Sequence, residues 1–367
     1  MISKFLNSNI TFQIRNFFVR FSPSIIFFIF TFLVDKLISD TNLRAWYLNF
    51  ILIFPLILPF LRFGLSLQYL STKESENQNS ILVVQYFIYS LLLLIYLLTN
   101  NQTIIILIFA SIGAFFFNYG AKKIRDGNIL GFFFQNGIVY SVLLLSVFFY
   151  DIFFSVIQYF FILIFILLTY RIYSFKFHIN FTKKKIIYYF NDIAASFLIP
   201  FIFFVAFKVS SDLDVDDFLI VKITSFLSAS VGSLILIEFR KMDNLKSVNE
   251  KLIFFKNKKH KLFLLLLLII TGASIFTISL YPDSIYLFFG LCVFEICVFY
   301  FGQYNLINIY FNLQKNIFLT SIFCSFIFLI IYILSKFLDF SKFSIFIYVL
   351  GITLFQLSSF ITYKLNK

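Results

Sequence analysis

Residues 128–172 read NILGFFFQNGIVYSVLLLSVFFYDIFFSVIQYFFILIFILLTYRI, and only Asp151 and Arg171 in this stretch carry a charge. The segment parses into two apolar runs, roughly 128–149 and 152–172, parted by Tyr150 and Asp151. Each run has about the 20 residues that an α-helix needs to cross a bilayer's hydrocarbon core. Working outward, the same reading repeats along the chain. Spans are expected at roughly 20–38, 46–70, 80–98, 103–121, 128–149, 152–172, 186–207, 218–238, 262–281, 284–305, 317–335 and 343–363. A hydrophobic fraction of 61%, a charged fraction of 13% and a mean hydropathy of +0.95 are membrane values. No stretch between the runs is long enough to fold as a soluble domain, which excludes most enzyme classes. The expected fold class is therefore an all-α integral membrane protein with about twelve transmembrane helices.

A net charge of +13 would suit a nucleic-acid binder, but its distribution points elsewhere. With the N-terminus in the cytoplasm, the tail (Lys4, Arg15, Arg20), the turn with Lys122, Lys123 and Arg125, the 171–185 loop and the 239–261 loop all lie inside. So do Arg62, Lys73, Lys315, Lys364 and Lys367. Of the 30 Lys and Arg residues, only Lys36, Arg44, Lys208, Lys222, Lys336 and Lys342 fall on or near the outer side. This bias orients the chain with both termini cytoplasmic. Asp35, Asp40, Asp151, Asp212, Asp214, Asp216, Asp217, Asp283 and Asp339 fall outside. The basic charge reads as a topology device rather than a nucleic-acid surface. The first run ends in Asp35 and Lys36 without a small-residue cleavage site, so a retained span is expected there.

The chain divides near its basic central loop into two sets of six spans, residues 1–178 and 179–367. Pro23 aligns with Pro200, Asp35 with Asp212 and Asp40 with Asp217; further on, Phe117, Tyr119 and Gly120 align with Phe299, Phe301 and Gly302. An even number of spans per half gives the halves one orientation, as parallel repeats around a central cavity. Chance alignment of two apolar sequences is the competing account.

No phosphate-cradling GxxxxGK[ST] loop is present. His178 and His260 sit in basic loops without partners at metal or triad spacing, and are read as solvated. Cys292, Cys297 and Cys324 are expected to be packing residues within spans. Neither a metal nor a cofactor is expected, and the short outer loops, the longest around 208–217, leave no room for an outer catalytic segment.

A basic amphipathic start (Ile14 to Phe21) precedes a first span that ends in an acidic outer loop. The second span closes on Arg62-Phe63-Gly64-Leu65, and the eighth ends in Glu238-Phe239-Arg240-Lys241 before a basic loop. With the six-plus-six layout, this pattern resembles the polysaccharide (O-antigen type) flippases of the multidrug/oligosaccharidyl-lipid/polysaccharide exporter superfamily. The resemblance implies transfer of a polyprenyl-pyrophosphate-linked oligosaccharide from inner to outer leaflet by alternating access. The location would be a bacterial cytoplasmic membrane. The substrate and membrane lipid would be its partners, with polysaccharide polymerase and glycosyltransferases as candidate neighbours, and the protein would not be an enzyme. The physics agrees: sugar hydroxyls cannot cross hydrocarbon without polar partners, and a pyrophosphate wants cations.

On that reading the candidate headgroup cations are Arg20, Arg62 and Lys222. Each has a plainer alternative: Arg20 as a snorkelling anchor, Arg62 as a marker of the inner interface beyond Pro55 and Pro59, and Lys222 as a partner of Asp217. Asn118, Gln135, Asn136 and Gln303 are candidate sugar-binding amides, or polar glue between helices. Glu295, deep in the tenth span, and Asp192, near the inner end of the seventh, are candidate ion-coupling acids. The alternatives are a neutral Glu295 bonded to a neighbouring helix, and Asp192 capping a helix start. Three rival functions remain: a small-molecule or drug exporter of the same superfamily, a membrane oligosaccharide polymerase or glycosyltransferase, and a scaffolding membrane subunit.

Overall fold

A computed structural model describes residues 19, 22–62, 79–125, 128, 130–173, 183–208, 218–225, 248–280, 282–301, 314–334, 337–338 and 344–365. Among these residues all regular structure is helical. The helices are α1 (22–37), α2 (Thr41–Leu61), α3 (Asn79–Thr99), α4 (Gln102–Arg125), α5 (130–148), α6 (Tyr150–Tyr173), α7 (Lys183–Lys208), α8 (218–225), α9 (Val248–Leu280), α10 (Ile285–Phe301), α11 (Gln314–Leu334) and α12 (Ser344–Leu365). Among the described residues six helices are long and apolar enough to cross a membrane, and shorter apolar helices accompany them. Their outward faces carry large apolar side chains, such as Phe87, Leu91, Leu94 and Leu98 on α3 and Tyr159, Leu163, Ile166 and Leu167 on α6. Exposed apolar surface on that scale is stable against lipid, not water. The molecule is a multi-pass membrane protein. Its chain divides into two compact units, Met1–Pro200 and Phe201–Lys367.

In the first unit, short polar side chains start the helices. Asp40 Oδ1 accepts from the backbone N–H of Asn42 at 2.8 Å and of Leu43 at 3.1 Å, capping α2. Asn100 takes a left-handed conformation (φ 49°) after α3, and Asn101 Oδ1 accepts from Thr103 N at 2.9 Å to open α4. Asp35, at the end of α1, pairs with Arg44 and with Lys36 (3.0 Å), so one carboxylate bridges two of the cations assigned to the outer side.

Helix α4 is the hub. Of its apolar window 67% is buried, against 28% for α3 and 17% for α6. Gly113 lets α2 approach: a Cβ there would sit 3.0 Å from Phe54 Cζ and 3.4 Å from Leu58 Cδ1. The core is aromatic. Phe50 lies edge-on to Phe109, which lies edge-on to Phe161, and Tyr140 packs against Phe27 and Phe54. The polar tips find partners, as burial in lipid requires. Tyr47 bonds Ser146 Oγ at 2.8 Å, Tyr89 donates to the Phe161 carbonyl at 2.6 Å, and Trp46 Nε1 donates to the Gln102 carbonyl at 3.2 Å.

In the second unit, Gly351 brings α7, α11 and α12 together, since a Cβ there would meet Phe328 and Ile202. Cys324 Sγ and Ser358 Oγ, 3.5 Å apart, join α11 to α12. Two expectations change. Cys292 and Cys324 are buried packing residues, but Cys297 is exposed on α10; that helix is apolar all round, so its facing cannot be read from hydrophobicity. The basic segment before residue 262, expected as a loop, begins α9 at Val248, giving a helix of 33 residues. Lys, Leu and Glu are good helix formers, residues 248–271 contain neither Gly nor Pro, and Glu250 complements the N-terminal dipole. At about 1.5 Å per residue such a helix is about 50 Å long, well beyond the hydrocarbon core.

Candidate functional site

Each unit gathers ionisable and amide groups at one place. In the first unit the place is the C-terminal end of α2. A helix end leaves its last carbonyls unpaired, and hydrocarbon offers no water to satisfy them. Here two neighbouring helices supply the donors. Gln85 Nε2 on α3 donates to the Leu61 carbonyl at 2.8 Å, and Asn118 Nδ2 on α4 donates to the Arg62 carbonyl at 3.0 Å. Arg62 is the C-terminal cap residue of α2 and is only 4% exposed; its guanidinium lies over the Phe117 ring, 4.2 Å from the centroid. Cation–π contact lays the guanidinium against α4, and the Asn118 bond, made to the backbone carbonyl, ties the end of α2 to the same helix. The apolar run continues through Pro55 and Pro59 as one helix.

Asn118 therefore acts through its amide nitrogen as an interhelical cap, while its Oδ1 is buried without a hydrogen-bond partner among the described residues. Gln135, on α5, packs over Gly120 of α4, where a Cβ would come within 2.8 Å of Gln135 Cγ. Gln135 and Asn136 both belong to a π-helical segment, Phe133–Gly137, inside α5. The close approach has a sequence cause: a Cβ on Gly120 would strike the Gly131 carbonyl, and one on Gly131 would strike the Gly120 carbonyl. Gly137 leaves room for the Phe133 ring, 2.6 Å from where a Cβ would lie. A π-turn inserts one extra residue, and such turns recur at functional sites.

In the second unit the centre is Tyr348 on α12. Its hydroxyl donates to Glu295 Oε1 on α10 at 2.8 Å, and Glu295 is only 3% exposed. Ser225, on α8, donates to the Lys222 carbonyl of its own helix at 3.1 Å. Phe203 of α7 packs on the Tyr348 ring with centroids 4.8 Å apart. The same Phe203 carries Lys222 on its face: Nζ lies 3.6 Å from the ring centroid, and 5.7 Å from that of Phe218. The Phe203 ring of α7 thus supports an ammonium from α8 and a phenol from α12, and that phenol holds the acid of α10.

Of the residues singled out in the sequence, Arg62 and Asn118 are in contact, and Lys222 and Glu295 share the Phe203–Tyr348 cluster. Asp192 lies well inside α7, which begins at Lys183, so the helix-cap alternative for it is replaced by an interior position. Arg20, Gln303 and the acidic cluster Asp212 to Asp217 lie outside the described residues. His260 is exposed on α9, as a solvated histidine should be. Gln85 and Tyr348 are the members of these two clusters that the sequence did not single out. Gln85 carried a signal, as a lone amide inside the apolar run Val83-Val84-Gln85-Tyr86. Tyr348 carried none, because Tyr is common here, with 21 in the chain. Among the described residues no three His, Cys, Asp or Glu side chains converge to hold a metal ion. No family model, no curated protein and no solved structure matches this chain.

Proposed function

We propose that this chain is a membrane flippase for a polyprenyl-pyrophosphate-linked oligosaccharide. Twelve crossings form two six-helix lobes with both termini in the cytoplasm, and the lobes alternate between inward and outward access. The observation that carries this reading is Arg62, a guanidinium buried at the end of α2 against the Phe117 ring of α4. An ionisable residue at such a position is costly and marks a polar pathway far more often than a structural convenience. Arg presents a planar fork suited to phosphate oxygens.

In this reading the headgroup meets Arg62 and the amides Asn118, Gln135 and Asn136 in the first unit, with Arg20 at the cytoplasmic mouth. In the second unit Lys222 adds a cation, and Gln303 a further amide. Glu295, bonded to Tyr348, and Asp192 take the ion whose gradient drives release. The excess of cations over acids among these groups favours an anionic cargo over the cationic drugs of a small-molecule exporter.

The test is transfer of a labelled undecaprenyl-pyrophosphate oligosaccharide in proteoliposomes, with an external glycosidase reporting the leaflet. Protein-dependent movement is expected, slowed about tenfold or more by Arg62→Ala, the loss of one charge-assisted phosphate contact. Full activity of Arg62→Ala removes that residue from the mechanism. Absence of movement overturns the flippase reading, and elongation of the glycan in its place identifies a polymerase.

A further inference from the structure

Helix α9 carries one exposed stripe along its whole length, and the chemistry of that stripe changes partway. Lys256, His260, Leu264, Leu268, Ile275 and Ile278 are all exposed. Steps of three, four or seven residues keep them on one side of the helix. The part of α9 long and apolar enough to cross a bilayer is Leu262–Ser279. Leu264 and Leu268, 66% and 71% exposed within it, therefore face acyl chains. One turn before Leu264 the stripe becomes polar at His260, and one turn before that it reaches Lys256.

The depth of the change fits the headgroup layer. Residues 256–261 lie about 1.5 to 9 Å beyond Leu262 along the axis, at about 1.5 Å per residue. The polar layer of one leaflet is about 5–8 Å thick. Lysines stand at 256, 258, 259 and 261 with His260 among them, and Glu250 is the one acid between residues 248 and 280. Six consecutive residues wind through more than one and a half turns, so the lysine positions surround the helix. Orientation in the membrane needs such charge only somewhere in a flanking loop. Here the helix runs unbroken from Val248 through the basic residues, so it sets the cations at a fixed depth directly beyond leucines that face lipid.

We propose that this part of α9 is a binding site for anionic phospholipid. The phosphate lies against Lys256 and His260, and an acyl chain of the same molecule runs along Leu264 and Leu268. Both halves of the stripe are used by one ligand. A zwitterionic phospholipid has the same chains and phosphate, but its own ammonium cancels the attraction of the lysines. An acidic protein segment would meet the lysines and leave the leucines, which lie inside the apolar window, without a role. The inference rests on the membrane placement of α9 and not on the flippase reading, so either survives failure of the other.

The test uses the full chain in nanodiscs of phosphatidylcholine. A small, equal fraction of phosphatidylglycerol or of phosphatidylcholine carries a diazirine on the same acyl chain. Phosphatidylglycerol is expected to label the α9 peptide about fivefold or more above phosphatidylcholine, since one lysine near the surface is worth about that factor. High salt should shrink the difference. Changing Lys256, Lys258, Lys259 and Lys261 together to Gln should bring the two probes level. Changing the same four to Arg should keep the preference, and Gln and Arg both sustain a helix. Equal labelling of the wild type by both probes overturns the proposal. So does a Gln variant that keeps the wild-type preference, or preferential labelling that maps to helices other than α9.

Discussion

Asn118 shows what a single amide does in this chain. It lends one N–H to the Arg62 carbonyl and thereby joins α4 to the end of α2. Asn118→Leu strips that carbonyl of its donor and should lower stability by about 1–3 kcal/mol. Denaturant unfolding in mixed micelles reads the loss directly. Thr353→Val is the control, since that exposed hydroxyl bonds only its own helix, to the Val349 carbonyl at 2.8 Å, and should be near neutral. The Tyr348–Glu295 bond can be isolated with a double-mutant cycle of Tyr348→Phe and Glu295→Gln. The expected coupling is about 0.6 kcal/mol and at most about 1.7, the range for hydrogen bonds between helices in lipid. At this scale the sequence was half legible. Arg62, Asn118, Lys222 and Glu295 stand out in apolar runs by chemistry alone. Their partners do not, because Gln85 and Tyr348 are defined by which helix faces which.

Among the helices, α4 and α5 meet most closely, and glycine is the reason. Gly120→Ala puts a Cβ against the Gly131 carbonyl, a backbone atom that cannot swing aside, and should destabilise by about 1–3 kcal/mol. Gly290→Ala on α10 meets nothing within 4 Å and should stabilise by about 0.5–1 kcal/mol, because Ala loses less chain entropy in a helix. Thermal melts of the two variants in one detergent compare them. Helix existence was legible from the runs themselves: the span expected at roughly 80–98 is α3, Asn79–Thr99, and that at 152–172 is α6, Tyr150–Tyr173. The long α9 was not, since hydropathy reports where lipid begins and not where a helix does. The π-segment at Phe133–Gly137 was equally hidden, because it arises from crowding against α4.

For the whole molecule, orientation is the property that charge decides. Asp40→Cys, at the turn between α1 and α2, should react with a membrane-impermeant maleimide applied outside intact cells. Lys258→Cys, in the basic first half of α9, should react only after permeabilisation. Labelling in the opposite pattern would invert the topology. The sequence by itself determined that this is a helical protein of the bilayer, about where its helices lie, and which chemistry they hold. Those properties are local: twenty apolar residues bury themselves in lipid whatever surrounds them. Only tertiary structure decided the trans-capped end of α2, the Glu295–Tyr348 pair and which face of α9 meets the lipid. Lipid tails are as apolar as Leu and Phe, so hydrophobicity gives a helix no preferred face, and facing is settled by glycine contacts and polar bonds between segments far apart in the chain.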